Sequence, residues 1–129
     1  LLEQGTFLFP QSAQMHDKLS YVFAKAGNYS QSLAHAREAV KLDPKLVSAK
    51  INLGSALLMK GNCQEAKSIY QETTSIDPKN ADAHFLLATT MERLGDTSGA
   101  RSELTTFLEL ASKSDPRLTK AKEKLDSLK

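Results

Sequence analysis

The sequence contains few cysteines, prolines and aromatic side chains, and it lacks tryptophan altogether. Its single thiol, Cys63, cannot pair within the chain, which excludes an internal disulfide framework. Seventeen Lys and Arg oppose fifteen Asp and Glu, and the net charge of +2 is too small to indicate a nucleic-acid-binding protein. No apolar run approaches the roughly 20 residues that a membrane-spanning helix requires, so membrane insertion is not expected.

Motifs for catalysis and for cofactor or metal binding are absent as well. The chain has no glycine-rich phosphate loop, no HExxH and no paired CxxC. We therefore expect no enzyme, no cofactor and no metal site. Cys63 is either a partly buried structural thiol or, at the start of a helix, a redox-sensitive one.

The first residues bear on the source of the chain. It begins with Leu, and its first ten residues lack the basic segment of a signal peptide. We expect a piece of a longer protein. Its compartment stays open, with an intracellular or cytoplasmic one favoured because the only thiol is unpaired.

The sequence does contain a repeat of 34 residues, marked by Pro10, Pro44 and Pro78. Each of these prolines follows a short apolar stretch. A shift of the chain by 34 residues also aligns columns of similar side chains, which are Leu19, Leu53 and Leu87; Phe23, Leu57 and Met91; Gly27, Gly61 and Gly95; Ser32, Ala66 and Ala100; and Ala36, Tyr70 and Leu104. A repeat of this length indicates a solenoid.

Each copy is predicted to fold as two helices around a turn. Gly27, Gly61 and Gly95 stand at the turns, where a residue in the left-handed conformation ends the first helix. The next residue, Asn28, Asn62 or Asp96, is an N-cap candidate for the second helix. Small residues in the Gly54 column allow the two helices to approach closely.

These columns resemble the tetratricopeptide repeat, a helix-turn-helix family with a period of about 34 residues. The second copy matches the family pattern best, at Leu53, Gly54, Leu57, Ala66, Tyr70 and Pro78. The resemblance implies an all-α fold, a right-handed superhelical solenoid of helix-turn-helix hairpins with a C-terminal capping helix. The family's tryptophan column holds His16, Lys50 and His84 here, and the two histidines lie too far apart for one metal ion.

We divide the chain at the repeat boundaries. Residues 1–12 are expected to be the tail of an upstream repeat helix, and residues 13–46, 47–80 and 81–114 to be three repeats. The second helix of the third repeat is predicted to run on by about one turn, because Ala111 and Ser112 replace Asp and Pro. Residues 115–129 are predicted to form the capping helix, with Asp115 as its N-cap and Pro116 as its first residue.

The first helix of each pair lines the inner wall of a repeat solenoid, and such proteins bind partners there. The resemblance implies a non-catalytic scaffold or adaptor that holds an extended peptide or a helix of another protein on this concave face. The candidate contact residues are Lys18, Tyr21, Lys25, Ile51, Asn52, Ser55, Met59, Phe85, Thr89 and Arg93.

Two alternatives stay open. The chain could be a regulatory or assembly segment of a larger enzyme or secretion machine that packs on its own parent. It could also self-associate through its N-terminal edge, where apolar residues such as Leu1 and Leu2 lack cover. A family clamp that binds chaperone tails is not expected, because Asn52 alone matches its residues.

Overall fold

The computed structural model describes residues 12–128, and this part of the chain contains α-helices and no strands. The seven helices are α1 (Ala13–Lys25), α2 (Tyr29–Leu42), α3 (Val47–Met59), α4 (Cys63–Ile76), α5 (Ala81–Arg93), α6 (Thr97–Leu110) and α7 (Leu118–Ser127). Each helix packs on the next, and the first helices of neighbouring pairs also touch, α1 on α3 and α3 on α5. Within residues 12–128 the chain is therefore an all-α solenoid of three helix pairs and a final helix.

The turn inside each pair depends on a glycine. Gly27, Gly61 and Gly95 have φ values of 82°, 86° and 83°, in the left-handed region that side chains with a Cβ rarely adopt. At the first turn, the amides of Gly27 and Asn28 donate to the carbonyls of Ala24 and Phe23 at 3.0 and 2.8 Å. The other two turns repeat this pattern, which confirms the predicted helix ends.

The N-cap prediction holds in part. The Asp96 side chain accepts a hydrogen bond from the Gly99 amide at 2.9 Å, as an N-cap should. Asn28 and Asn62 occupy the corresponding positions, but their side chains make no capping hydrogen bond.

The core of the second pair forms where α3 and α4 approach closely. Tyr70 is fully buried, and a Cβ placed on Gly54 would lie 2.5 Å from Cε1 of its ring. The Tyr70 hydroxyl shares a hydrogen bond with Ser55 Oγ at 3.1 Å, and burial raises the pKa of Tyr70 to about 12. Glycine is thus required at position 54 because the aromatic ring occupies the space of a side chain.

Two predictions about the C-terminal end are wrong. The helix α6 ends at Leu110, in the same column as the ends of α2 and α4, because Ala111 is extended and does not continue the helix. The helix α7 begins at Leu118, three residues after Asp115. The Asp115 carboxylate instead accepts a hydrogen bond from the Arg117 amide at 2.9 Å and closes a turn before the helix.

The final helix covers the end of the last pair, as a capping helix should. Ala121 is fully buried in a cluster with Ala88, Leu104 and Phe107, and Leu118 and Leu125 pack around it.

The predicted tail helix in residues 1–12 and the apolar N-terminal edge lie outside the described residues, except for Ser12. That residue caps α1 by accepting a hydrogen bond from the Met15 amide at 3.1 Å.

Candidate functional site

A groove of about 530 Å³ lies between α1, α3 and the start of α5. We call it the first-helix groove, because the first helices of the three pairs line it. Its residues are Asp17, Lys18, Tyr21, Val22, Ser48, Ile51, Asn52 and Asp82. Its volume falls in the range of about 300–1,000 Å³ that is usual for ligand pockets.

Four of the ten predicted contact residues lie in this groove, namely Lys18, Tyr21, Ile51 and Asn52. Four other groove residues, Asp17, Val22, Ser48 and Asp82, were not among the ten predicted contact residues. A signal for two of them was present. Asp17 lies four residues before Tyr21 and Ser48 four residues before Asn52, and side chains four apart share a helix face.

Asp17 organises the polar side of the groove. Its two carboxylate oxygens accept hydrogen bonds from Ser48 Oγ and from Asn52 Nδ2, each at 2.6 Å. These bonds join α1 to α3 and fix the orientation of the Asn52 amide. Hydrogen bonds to a carboxylate are stronger than those between neutral groups, so this side of the groove is pre-formed.

The apolar side of the groove is open to solvent. Tyr21 and Val22 are 53% and 60% exposed, although both are large apolar side chains. Lys25 Nζ lies 5.3 Å from the centre of the Tyr21 ring, a distance at which a cation is attracted to an aromatic face. Neighbouring exposed apolar side chains often mark a binding surface.

Phe85 does not face outward as the sequence analysis expected. Its ring centre lies 5.0 Å from that of Phe107, and Phe85 packs on the apolar cluster beneath α7. The Arg117 guanidinium covers it at 5.2 Å and also lies 5.0 Å from Phe107. The side chain is therefore part of the packing of the cap.

The other five predicted contact residues lie outside the groove lining. The Ser55 hydroxyl is hydrogen-bonded to the Tyr70 hydroxyl, and the Thr89 hydroxyl donates a hydrogen bond to the carbonyl of Phe85 in its own helix. Met59 is 53% exposed, and Lys25 and Arg93 are exposed at the same end of their helices. Ser55 and Thr89 are thus engaged internally, whereas Lys25, Met59 and Arg93 remain accessible.

Two basic residues of the C-terminal segment, residues 115–128, pair with acidic residues of α5. Arg117 lies 2.7 Å from Asp82 and 2.8 Å from Asp115, and these carboxylates raise the pKa of Arg117. Lys124 lies 2.8 Å from Glu92. Lys124 therefore takes part in a contact between α7 and α5.

Two of the three histidines contact each other, and the third contacts a glutamate. His16 and His35 share a hydrogen bond between Nδ1 atoms 3.0 Å apart, so His35 faces its partner helix. Burial and then the neighbouring His16 lower the pKa of His35. His84 bonds to Glu103 at 2.6 Å and donates from Nε2 to the carbonyl of Pro78 at 2.7 Å.

Residues 12–128 contain no group of three or more His, Cys, Asp or Glu residues that is arranged so that it could hold a metal ion. None of the helices in this part of the chain is both long and apolar enough to cross a membrane.

Comparison with known proteins places the chain in a family. Two sequence profiles described as tetratricopeptide repeat match residues 57–125 and residues 18–79. The chain therefore belongs to the tetratricopeptide repeat family.

Two curated relatives are much longer than this chain. The small glutamine-rich tetratricopeptide repeat-containing protein 2 of Mycosarcoma maydis is 32% identical over 95 residues, which are 74% of this chain and 27% of that protein. The TPR repeat-containing thioredoxin TTL4 of Arabidopsis thaliana is 34% identical over 98 residues, 72% of this chain and 14% of that protein. The chain thus spans about a quarter or less of these relatives.

Solved structures share the fold at low sequence identity. The crystal structure of MamA has a TM-score of 0.90 and 19% identity over 98% of this chain and 72% of that one. The Yersinia enterocolitica secretion chaperone SycD, in complex with a peptide of the translocator YopD, has a TM-score of 0.83 and 19% identity over 89% and 90%. The first repeat domain of Spaghetti, bound to an HSP90 peptide, has a TM-score of 0.83 and 18% identity over 92% and 90%.

Proposed function

We propose that this chain is a non-catalytic scaffold or adaptor that binds a segment of a partner protein in the first-helix groove, on the concave face of the solenoid. The observation that supports this proposal is the groove of about 530 Å³, in which Tyr21 and Val22 are exposed beside a pre-formed polar side. Aromatic side chains give large contact areas at a low cost in conformational entropy, and they are enriched at binding hot spots.

The polar side fits main-chain recognition. Asn52 Nδ2 donates to Asp17, which leaves a second amide hydrogen and the carbonyl oxygen of a fixed side chain. A fixed amide can exchange two hydrogen bonds with the backbone of an extended or helical segment. Two neighbours of the same fold, SycD and Spaghetti, are described in complex with peptides, which supports a peptide as the class of ligand.

The test is selection from a displayed library of random peptides, followed by fluorescence anisotropy with the selected sequences. The double variant Tyr21→Ala/Val22→Ser should weaken binding by about tenfold or more, because each decade of affinity corresponds to about 1.4 kcal/mol. Both side chains are exposed, so its helical circular dichroism and melting temperature should match the wild type.

The matched control is Ile76→Ser. Ile76 is also a large apolar side chain, 44% exposed, but it ends α4 and lies outside the groove lining. This variant should bind as the wild type does. Equal weakening by both variants, or a library that yields no binder, would contradict the proposed groove.

A second hypothesis is that another segment of a longer chain, of which this sequence is one part, binds in the groove. The two curated relatives favour it, because the matched region is 27% and 14% of their lengths. In that case, the groove variants would release a segment of the parent chain, visible as new protease cleavage, while peptides added in trans would bind poorly to the intact parent.

A further inference from the structure

The first helix pair is joined by polar side chains. His16 of α1 and His35 of α2 share a hydrogen bond between Nδ1 atoms 3.0 Å apart. Beside them, the Ser20 hydroxyl donates to the carbonyl of Ser32 at 2.9 Å, and the Ser32 hydroxyl donates to the carbonyl of Ser20 at 2.8 Å. In the second and third pairs, the columns of these two serines hold glycine or alanine, which cannot form such bonds.

The helix α1 contributes little to the apolar core. Its main contacts are with α2 and α3, and neither apolar cluster in residues 12–128 contains one of its residues, whereas each of the other six helices contributes a buried residue. Two of its three buried residues are polar, His16 and Ser20. Elements with few buried apolar contacts open at a lower free energy than the whole chain. The attachment of α1 therefore depends strongly on its hydrogen bonds.

The histidine pair has room for one hydrogen between its facing nitrogens. In the neutral pair, one Nδ1 carries a hydrogen and the other accepts it. When both imidazoles are protonated, both Nδ1 atoms carry a hydrogen, so the bond is lost and two positive charges face each other. His16 is buried, and the Phe23 ring stacks on His35 at a centroid distance of 5.4 Å, so water can solvate these charges only in part.

The charges around the pair do not compensate a second proton. The charged residues on the three helices that meet here are Asp17, Lys18 and Lys25 on α1, Arg37, Glu38 and Lys41 on α2, and Lys50 on α3. Within residues 12–128, neither imidazole forms an ion pair with any of them. Asp17 directs its carboxylate to Ser48 and Asn52 instead. The single charge on α3, that of Lys50, is positive, and Lys50 lies 3.9 Å from Glu72 of α4.

The third pair has the opposite arrangement in the same two columns. Positions 84 and 103 correspond to positions 16 and 35 after a shift of two repeats, and they hold a histidine and a glutamate. His84 Nδ1 lies 2.6 Å from Glu103 Oε1. A protonated imidazole therefore faces a carboxylate in the third pair, but a second imidazole in the first pair.

We propose that the His16–His35 pair is a pH-sensitive contact, and that protonation of both imidazoles below neutral pH releases α1 from α2 and takes the first-helix groove apart. Four of the eight residues that line this groove belong to α1, namely Asp17, Lys18, Tyr21 and Val22. The effect on binding rests on the proposed function, whereas the release of α1 depends on the histidine geometry alone.

The direction of the pH effect follows from the folded pair. Burial and then the neighbouring His16 lower the pKa of His35, so the opened helix binds more protons than the closed one. The contribution of the pair to stability is therefore complete above the ordinary histidine pKa of about 6.5, and it is lost as the pH falls through the lower pKa of the closed state.

The first experiment follows isotope-labelled protein by NMR from about pH 7.5 to about pH 5, the range in which histidine titrates, without a ligand. The Cα chemical shifts throughout α1 should move toward coil values, while those of α4, which has no histidine, should not. A peptide selected on the groove should bind about threefold or more weakly at the acidic end, because fewer molecules are competent to bind. A helical α1 across the whole range would overturn the proposal. Release of α1 without any loss of binding would contradict the proposed groove, and the pH-sensitive contact would stand.

The second experiment changes the partner of His16. His35→Glu gives the first pair the arrangement of the third, so acid should no longer release α1. His35→Gln keeps a hydrogen-bonding side chain that does not titrate, so its response to acid should be smaller than that of wild type, and this variant decides if His35→Glu does not fold. His84→Gln is the matched control, since it removes the histidine of the same column in the third pair and should leave the release of α1 unchanged. Release of α1 in both His35 variants, as in wild type, would overturn the role of the histidine pair.

Discussion

Gly54→Ala tests the packing on which the central pair depends. A methyl group at position 54 would lie 2.5 Å from Cε1 and 2.6 Å from Cζ of Tyr70, about 1 Å inside the usual separation of 3.5–4.0 Å between carbon atoms. The ring cannot move into solvent because Tyr70 is fully buried. Overpacking of this kind costs about 1–3 kcal/mol.

Two smaller effects act in opposite directions. Alanine is favoured over glycine in a helix by about 1 kcal/mol. A displaced ring would lose its hydrogen bond to Ser55, now 3.1 Å, which contributes about 1 kcal/mol. These terms offset each other, so the expected loss of stability is about 1–3 kcal/mol.

Urea unfolding followed by circular dichroism measures this loss. The unfolding midpoint should fall without a change in slope, and the melting temperature should fall by roughly 3–6 °C per kcal/mol in a chain of this size. In a Tyr70→Leu background, the same substitution should become neutral or stabilising, because the ring no longer occupies the space. A Gly54→Ala protein as stable as wild type would refute the packing argument, and Gly54→Leu should be worse still.

The remaining predictions concern the cap and the buried tyrosine. Phe85→Ala should lower stability by about 1–3 kcal/mol, since Phe85 packs on Phe107 under Arg117; a melting curve like that of wild type would instead restore Phe85 as an outward contact. Burial raises the pKa of Tyr70 to about 12, so the native state keeps a proton that the unfolded chain loses near pH 10. Stability should therefore be full below pH 10 and fall as the pH rises from 10 to 12, by up to about 2–3 kcal/mol. Denaturant titrations at several pH values would measure this loss, and Tyr70→Phe should abolish it.

Much of the fold could be predicted from local signals that repeat. The glycines at 27, 61 and 95 each stand where the chain needs a positive φ. This requirement comes from the local backbone conformation and does not depend on tertiary contacts. The helices start and end at the same positions in each copy, since Tyr29, Cys63 and Thr97 begin the second helices at intervals of 34 residues. The small residues in the Gly54 column predicted the close approach of two helices, and the structure shows that Tyr70 is the residue that position 54 faces.

The candidate site was only partly predictable. The spacing of residues along a helix shows which face of the helix a side chain lies on, but it does not show which residues of other helices that side chain contacts. Phe85 shares a helix with Thr89 and Arg93, and its column alone placed it on the inner wall. Arg117, 32 residues further along the chain, covers it. The partner of Asp82 is the same arginine, at 2.7 Å, and no local pattern connects these two residues.

The sequence by itself determined the class of the fold, the period, the turns and the helices that line the groove, because these follow from backbone conformation and from periodic apolar positions. Tertiary structure decided which side chains remain exposed in the groove, where α6 ends and α7 begins, and which acidic residues pair with Arg117 and Lys124. These outcomes depend on contacts between residues distant in sequence, such as Asp17 with Asn52 and Glu92 with Lys124. The free energy of such contacts is set by distance and burial, which arise only when the helices pack.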